Sequence, residues 1–297
     1  MRHRFTVIDG GASPIDAVVE AVADEAPVAW RVDLHRAASI GADEIAAWRA
    51  LLARAAVADP VRADPDYLLS AAQHQAGGRD LVFALAWAVG NGPDRLGAVI
   101  PLAMPHTLFG HGRIVVWQPY GSALAPTFAP GSVEPVRTAL ATALQAIRPR
   151  ATLELDTPAA AAIPEAGPAS RLRAVTARGT IPAHSLVGVR PVHAPEFAHV
   201  EPDRVERVRD PNQVRDAVEA FLLLDAEASS APIIGDPSEA AMVRVVTRLF
   251  ARRNQVTVTL TRRADRVVAA TITLGAGAYA LVWRRADAVP ERLERSA

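Results

Sequence analysis

The stretch that decides the fold is Leu85–Met104, which reads LAWAVGNGPDRLGAVIPLAM. Apolar residues dominate Asp80–Val89 and Leu96–Met104, and the pair Asn91-Gly92 lies between these two runs. Asn-Gly between two apolar runs is the strongest short-range signal for a β-hairpin, because both residues tolerate the positive φ that a tight turn requires. The sequence therefore predicts a hairpin of two strands in the first half of the chain.

Helices are predicted on both sides of this hairpin. Ile45, Trp48 and Leu52 recur at spacings of three and four, which predicts a helix over residues 41–58 with one buried face. Asp64-Pro65 supplies a cap residue followed by a proline at the first helical position, so a second helix is expected from there to about residue 76. Three further elements complete the first half: a strand at Arg113–Trp117, a helix after Ser132 and a strand at Thr152–Leu155.

The second half of the chain repeats this order. A short strand at Arg204–Arg209 precedes two helices, each of which begins with the same Asp-Pro signal, at Asp210 and at Asp236. Three strands are predicted to follow, at Val256–Thr261, Val267–Leu274 and Tyr279–Trp283. The repeat is one of architecture and not of residues. It predicts an α/β protein of two halves, residues 1–195 and 196–297, each a mainly antiparallel sheet flanked by helices.

Composition excludes several classes of protein. The 297 residues include 32 Lys+Arg and 32 Asp+Glu, so the net charge is zero, which argues against a nucleic-acid partner or a charged membrane surface. The sequence contains no lysine and no cysteine, which rules out Schiff-base and P-loop lysines, thiolate nucleophiles and disulfides. No secretory signal is visible and no apolar run is long enough to span a bilayer, so we expect a cytoplasmic protein.

The order of elements is similar to that of the GNAT acyltransferases, in which a strand and two helices precede a strand meander and a helix follows the fourth strand. Two such halves resemble the Fem-type aminoacyltransferases and, more closely, the CelD-type acetyltransferase-like proteins linked to cellulose and exopolysaccharide synthesis. The closer resemblance rests on WRALLARA at residues 48–55, the hairpin, AVEAFLLLDAEAS at 217–229 and the run 242–277. It implies a strand pair that splays apart in at least one half. Two departures stand out: Ser229–Ile233 replaces the usual Trp-Lys-Gly segment, and the second half stops after its last strand.

The resemblance implies acetyl-CoA or another acyl-CoA as co-substrate, an amine or hydroxyl acceptor, and no metal. GNAT enzymes hold the CoA pyrophosphate on backbone N–H groups between the fourth strand and the next helix, with the pattern Gln/Arg-x-x-Gly-x-Gly/Ala. Gln118, Tyr120, Gly121 and Ser122 lie in a segment that matches this pattern. However, seven more loop residues separate this segment from Gly131 and the predicted helix start, and Pro119 has no backbone N–H to donate to a phosphate. An ordinary surface loop is therefore the alternative interpretation.

Three residues are candidates for catalysis and two more for binding the co-substrate. His106 or His111 has the pKa range for a general base, although both also suit a solvated turn. Side chains two or four residues apart in a strand point to the same face, so Tyr279 and Trp283 would share one face of the last strand, with Arg284 next to them. The resemblance implies that these three residues line the acyl or acceptor cleft. The alternative is that they are ordinary core and edge residues of the strand. The scattered histidines do not have metal-ligand spacing.

Two functions follow from these observations. The first is an N- or O-acyltransferase that acts in polysaccharide or cell-envelope biosynthesis. The second is a catalytically degenerate descendant that serves as a binding or scaffold protein, because of the two departures above. The last strand, Tyr279–Arg284, would then be an open sheet edge or pair with a second copy in a homodimer.

Overall fold

The structure is a computed structural model of the chain, and it describes residues 29–105, 112–120, 124–155 and 203–288. These residues form two sheets and five α-helices. The strands are β1 Ala29–His35, β2 Asp80–Val89, β3 Arg95–Met104, β4 Gly112–Val116, β5 Thr127–Phe128, β6 Ala151–Glu154, β7 Arg204–Val208, β8 Val256–Arg263, β9 Arg266–Leu274 and β10 Leu281–Asp287. The helices are α1 Ala42–Arg54, α2 Pro65–His74, α3 Val133–Ile147, α4 Pro211–Ala228 and α5 Pro237–Ala251.

The predicted hairpin forms the middle of the first sheet, whose strand order is β1-β2-β3-β4-β6. Each pair from β1 to β4 is antiparallel, and β6 lies parallel to β4 after the crossover through α3. Sequence analysis missed β5, a two-residue strand that occupies the same edge of β3 as β4 does, beside Ala98 and Val99. The turn at Asn91-Gly92 has the position that the sequence predicts.

The second sheet has the order β10-β9-β8-β7, with every pair antiparallel. It therefore repeats the β1-β2-β3-β4 arrangement of the first sheet, and α4 and α5 follow β7 as α1 and α2 follow β1. The predicted fold class is confirmed: each half is a mainly antiparallel sheet flanked by helices, in the order that the GNAT resemblance implies. The boundary at residue 195 lies outside the described residues.

The three Asp-Pro signals start helices as predicted. Asp64, Asp210 and Asp236 each accept a hydrogen bond at 2.9 Å from the backbone N–H two residues later, which satisfies one of the free donors at the helix N-terminus. The following proline stands at the first helical position, where its missing N–H costs nothing. Asn254 adopts a φ of 56° just after α5, the left-handed conformation in which asparagine commonly ends a helix.

The two sheets differ in how many of their faces are covered. In the first sheet one face packs against α1 and α2, while the other face, which includes Ile100 and Leu102, is buried against α3. The second sheet buries the face of Val258 and Ile272 beneath α4 and α5. Its opposite face carries five threonines in two central strands, and none of its residues is buried. These threonines are Thr257, Thr259, Thr261, Thr271 and Thr273.

One hydrophobic core runs through both halves. It joins Trp48 and Leu51 of α1 to Phe221 of α4 and Phe250 of α5, all of which have at most 1% of their surface exposed. Helices α2 and α5 form the main contact between the halves. Burial of this shared apolar surface stabilises the two halves against each other, since apolar area removed from water is the dominant favourable term in folding.

Candidate functional site

The loop after β4 carries four of the predicted binding residues, and the structure describes two of them. The amide side chain of Gln118 donates from Nε2 to the carbonyl oxygen of Leu124 at 2.8 Å, and its Oε1 accepts a short hydrogen bond from the Leu124 N–H. Gln118 thus closes the loop on itself, and both ends of its amide are in use. Gly121 and Ser122 lie outside the described residues.

Tyr120 is anchored by its backbone and exposes its ring. Its N–H donates to the side chain of Gln75 at the end of α2 at 2.9 Å, and Gln75 is 6% exposed. The Tyr120 ring is 67% exposed. The loop is therefore held against the helix that contacts the second half.

Helix α3 does not begin where a phosphate on this loop would need it. The chain first forms β5, and α3 begins at Val133. The hydroxyl of Ser132 donates to the carbonyl oxygens of Ala129 and Gly97 at 2.8 and 3.1 Å, so it anchors the helix start to β3 and does not cap the first turn. The extra loop length seen in the sequence thus separates the glycine pattern from the α3 N-terminus.

The strand pair that would splay in a GNAT-like half is β4 and β6. Their parallel pairing extends over all of β6, from Gly112 opposite Ala151 to Val115 opposite Glu154. Trp117 continues the pairing of β4 with β3, because its N–H donates to the Pro101 carbonyl at 2.8 Å. These four residue pairs are not splayed, and the residues that follow Leu155 lie outside the described ranges, so the splay that the resemblance implies stays a prediction.

Trp283 and Arg284 lie at the contact between the two halves. The Trp283 ring packs edge-on against Tyr67 of α2, with ring centroids 5.9 Å apart, and both side chains are buried. Arg284 Nη2 donates to Glu239 of α5 at 2.7 Å, and its guanidinium stacks over the Trp283 ring. The carboxylate that Arg284 holds is therefore an internal one.

Burial and hydrogen bonding shift the pKa of Tyr67 in opposite directions. Burial raises the pKa of the Tyr67 phenol, since the phenolate is penalised away from water, while the nearby Arg62 and a hydrogen bond from Trp283 partly offset the rise. Tyr67 therefore stays neutral well into alkaline conditions.

Tyr279 lies apart from Trp283, which corrects the expectation that the two share a strand face. Residues 277–279 form a 3-10 turn and β10 begins only at Leu281, so the period of two does not apply between them. Tyr279 is 65% exposed and borders a cleft of about 320 Å³ between the halves, lined also by Arg49, Asp64 and Arg253.

That cleft contains an ionic cluster that sequence analysis missed. Arg253 Nη1 donates to Asp64 at 2.9 Å, and Arg49 Nη2 donates to both oxygens of Asp66 at 2.9 Å. Arg253 Nε lies 3.2 Å from Asp66. Burial raises the pKa of Asp64, although hydrogen bonding and charge from Arg253 lower it, so the ion pair does not fully offset the cost of removing this carboxylate from water.

A second missed contact joins α2 to the start of α5. The Ser238 hydroxyl donates to the His74 carbonyl at 2.8 Å and lies 3.5 Å from the His74 ring nitrogen Nδ1. Glu239, the next residue, holds Arg284, while Gln75 holds the β4 loop. The end of α2 thus connects the loop of the first half to β10 of the second. No local pattern in the sequence identifies this connection.

His106 and His111, the two candidate bases, lie outside the described residues. Within residues 29–105, 112–120, 124–155 and 203–288, no group of three metal-ligating side chains comes together. In the same ranges, no helix is long and apolar enough to cross a membrane.

Likeness to known proteins is found in a solved structure and not in sequence. No protein-family profile matches the chain, and no curated protein is detectably similar in sequence. The chain is similar to a tandem GNAT protein from the clavulanic acid biosynthesis pathway, solved without AcCoA, at 13% identity and a TM-score of 0.37, over 90% of this chain and 81% of that one.

Proposed function

We propose that the protein is an acyl-CoA-dependent N- or O-acyltransferase-like protein whose first half binds the acyl donor. One observation carries this proposal: β4, α3 and β6 form a parallel crossover after the antiparallel strands β1 to β4, which completes the set of elements that a GNAT-like half requires. The described residues of the second half contain no such crossover after β10.

The chemistry would be transfer of an acyl group from a thioester to an amine or a hydroxyl. The acceptor attacks the thioester carbonyl, a C–N or C–O bond forms, the C–S bond breaks, and the thiolate leaves with the proton that the acceptor gives up. The protein would hold the two reactants together and polarise the carbonyl with backbone N–H groups, and His106 or His111 would carry the proton. By its resemblance, the acceptor would be a polysaccharide or cell-envelope precursor in the cytoplasm.

A second candidate function is a non-catalytic binding or scaffold protein. Three features favour it: the amide of Gln118 is fully used within its loop, α3 begins beyond β5, and β4 and β6 remain paired as far as Glu154. Each of these removes part of the opening that a pantetheine chain and a pyrophosphate would occupy.

Calorimetric titration with acetyl-CoA and with a longer acyl-CoA separates the two candidates. Micromolar binding that free CoA competes away supports the acyltransferase. Ser122→Asp places a negative charge in the predicted pyrophosphate loop and should abolish that binding, whereas Thr138→Asp on the exposed face of α3 should not. No heat and no thermal stabilisation at millimolar ligand would reject the acyltransferase and favour the scaffold.

A further inference from the structure

A groove between α4 and α5 combines an apolar floor with basic walls. It has a volume of about 510 Å³, which falls within the range of small-molecule sites in proteins. Its floor contains Val214 and Val218, which are buried, and Val245, which is half-buried. The groove belongs wholly to the second half and shares no residue with the β4–α3–β6 crossover.

Three arginines line this groove, and one acidic residue orients the middle one. Glu219 accepts two hydrogen bonds from Arg244, at 2.7 and 2.8 Å, so the position of that guanidinium is fixed across the two helices. Arg215 lies four residues before Glu219 on α4, and Arg248 lies four residues after Arg244 on α5. Residues four apart on a helix are neighbours on its surface, so the three cations stand together.

Arg215 and Arg248 are available to a ligand. Both are exposed, and neither side chain makes a hydrogen bond or a salt bridge with the residues that the structure describes, although the charge of Arg215 acts on Glu219. The four charged side chains of the groove, three arginines and one glutamate, leave a local excess of positive charge. This excess lies on a protein whose total charge is zero. Arg244 and Glu219 neutralise each other, which the lowered pKa of Glu219 reflects, mainly through its hydrogen bonds to Arg244.

We propose that this groove is a binding site for a phosphorylated small molecule. Arg215 and Arg248 hold the phosphate from either side of the Glu219–Arg244 pair. Two guanidinium groups match the two negative charges of a phosphate monoester, and their planar N–H forks suit its oxygens. The valine floor accepts the carbon frame of the ligand, as the walls of ligand pockets usually do.

Titration with inorganic pyrophosphate at low ionic strength tests the site, because screening by salt weakens contacts of this kind. Binding of one pyrophosphate at this groove is expected, separate from any that the predicted pyrophosphate loop of the first half takes up. Arg215→Gln or Arg248→Gln should each weaken it roughly tenfold, since each removes one guanidinium from the phosphate, and the double variant should lose binding at this groove. Arg137→Gln, which removes an exposed charge from α3 and leaves the groove intact, should leave the affinity unchanged.

A second measurement on the unmodified protein guards against variants that change the fold. Amide chemical shifts followed during the same titration should change at the start of α4 and the end of α5. Absence of binding by about 10 mM pyrophosphate, an affinity weaker than most specific sites show, overturns the proposal. Equal binding by the double variant, or shift changes confined to other elements, overturns it as well.

Discussion

Arg253 and Asp64 join the two halves of the chain through an ion pair of 2.9 Å between Nη1 and Oδ2. Asp64 also caps α2 through the Asp66 N–H, so a single carboxylate fixes both a helix start and an inter-half contact. Asp64 is 8% exposed, which makes the loss of its partner costly, because an unpaired buried charge then remains.

Arg253→Ala should lower the free energy of unfolding by about 2–4 kcal/mol at neutral pH. This is somewhat less than the usual cost of breaking a buried ion pair, because the Arg253 side chain is 24% exposed. The loss should shrink as the pH falls and Asp64 takes up a proton, since its raised pKa eases protonation in the folded state. Urea denaturation between neutral and acidic pH measures both effects.

A matched control for this prediction is Arg113→Ala. Arg113 pairs with Glu154 at 3.1 Å, but its side chain is 72% exposed, and pairs of this kind contribute little. The prediction fails if the two variants have the same midpoint. Asp64→Asn should cost less than Arg253→Ala, because asparagine also caps helices and no unpaired carboxylate remains.

In the turn between β9 and β10, alanine should destabilise the protein more at Gly275 than at Gly277. Gly275 has a φ of 85°, and a Cβ there would lie 2.6 Å from the Val61 side chain and 2.8 Å from the Tyr279 carbonyl oxygen. Gly277 has a φ of 60° with open space around it. Gly275→Ala should therefore destabilise the protein by about 3 kcal/mol through strain and overlap together, and Gly277→Ala by about 1 kcal/mol through strain alone.

Thermal and urea denaturation of the two variants tests this difference. Because Val61 precedes α2, the close approach at Gly275 is a contact between the halves. Equal destabilisation by the two alanines would mean that the turn does not pack against Val61.

The sequence predicted the elements of this fold better than their contacts. The three Asp-Pro starts, the Asn-Gly turn and the strand predicted at Val256–Thr261 rest on local signals, and all of them appear in the structure. Predictions based on the period of two failed at Tyr279, because the 3-10 turn there shortens the strand and depends on the packing of Gly275.

The residues that join the two halves could not be found in this way. Arg253 and Asp64 are 189 positions apart, and Ser238 and His74 are 164 apart, so no spacing rule relates them. Their types are also ordinary for helix ends, where aspartate and serine cap and arginine is common. Only the tertiary fold brings these side chains together.

Because one face of the second sheet is open and carries threonines, a polar substitution should be tolerated at Thr271 and not at the next residue, Ile272. Thr271 lies on that face, half-buried, while Ile272 points into the core with no exposed surface. Thr271→Gln should cost less than about 1 kcal/mol, as at most surface positions, whereas Ile272→Gln buries an unsatisfied amide and should cost 3 kcal/mol or more, roughly the sum of lost burial and desolvation.

Comparison of expression and urea midpoints for this pair tests whether the threonine face is in contact with solvent. A large loss at Thr271→Gln would contradict the prediction and would show that the face is covered. Thr259→Gln, at the paired position on β8, serves as a second probe of the same face.

Stability at alkaline pH should depend on Tyr67. The sequence has no lysine and no cysteine, so tyrosine and arginine are its only side-chain types with an ordinary pKa of about 10 or more. Tyr120 and Tyr279 are 67% and 65% exposed, while Tyr67 is 2% exposed with a pKa raised by burial above the ordinary 10.0. The unfolded chain therefore loses the Tyr67 proton at a pH where the folded chain keeps it.

It follows that the free energy of unfolding is unaffected by Tyr67 below about pH 10 and falls as the pH rises above that value, by at most about 1.4 kcal/mol per pH unit. Tyr67→Phe retains the ring against Trp283 and removes the ionisation. It should cost about 1 kcal/mol at neutral pH through the lost hydrogen bond, but its stability should decline less steeply above pH 10. Urea unfolding from neutral to strongly alkaline pH measures the two slopes, with Tyr120→Phe as the control that retains the steep one. Equal slopes in the unmodified protein and the Tyr67→Phe variant would show that Tyr67 is not buried against Trp283 as the structure has it.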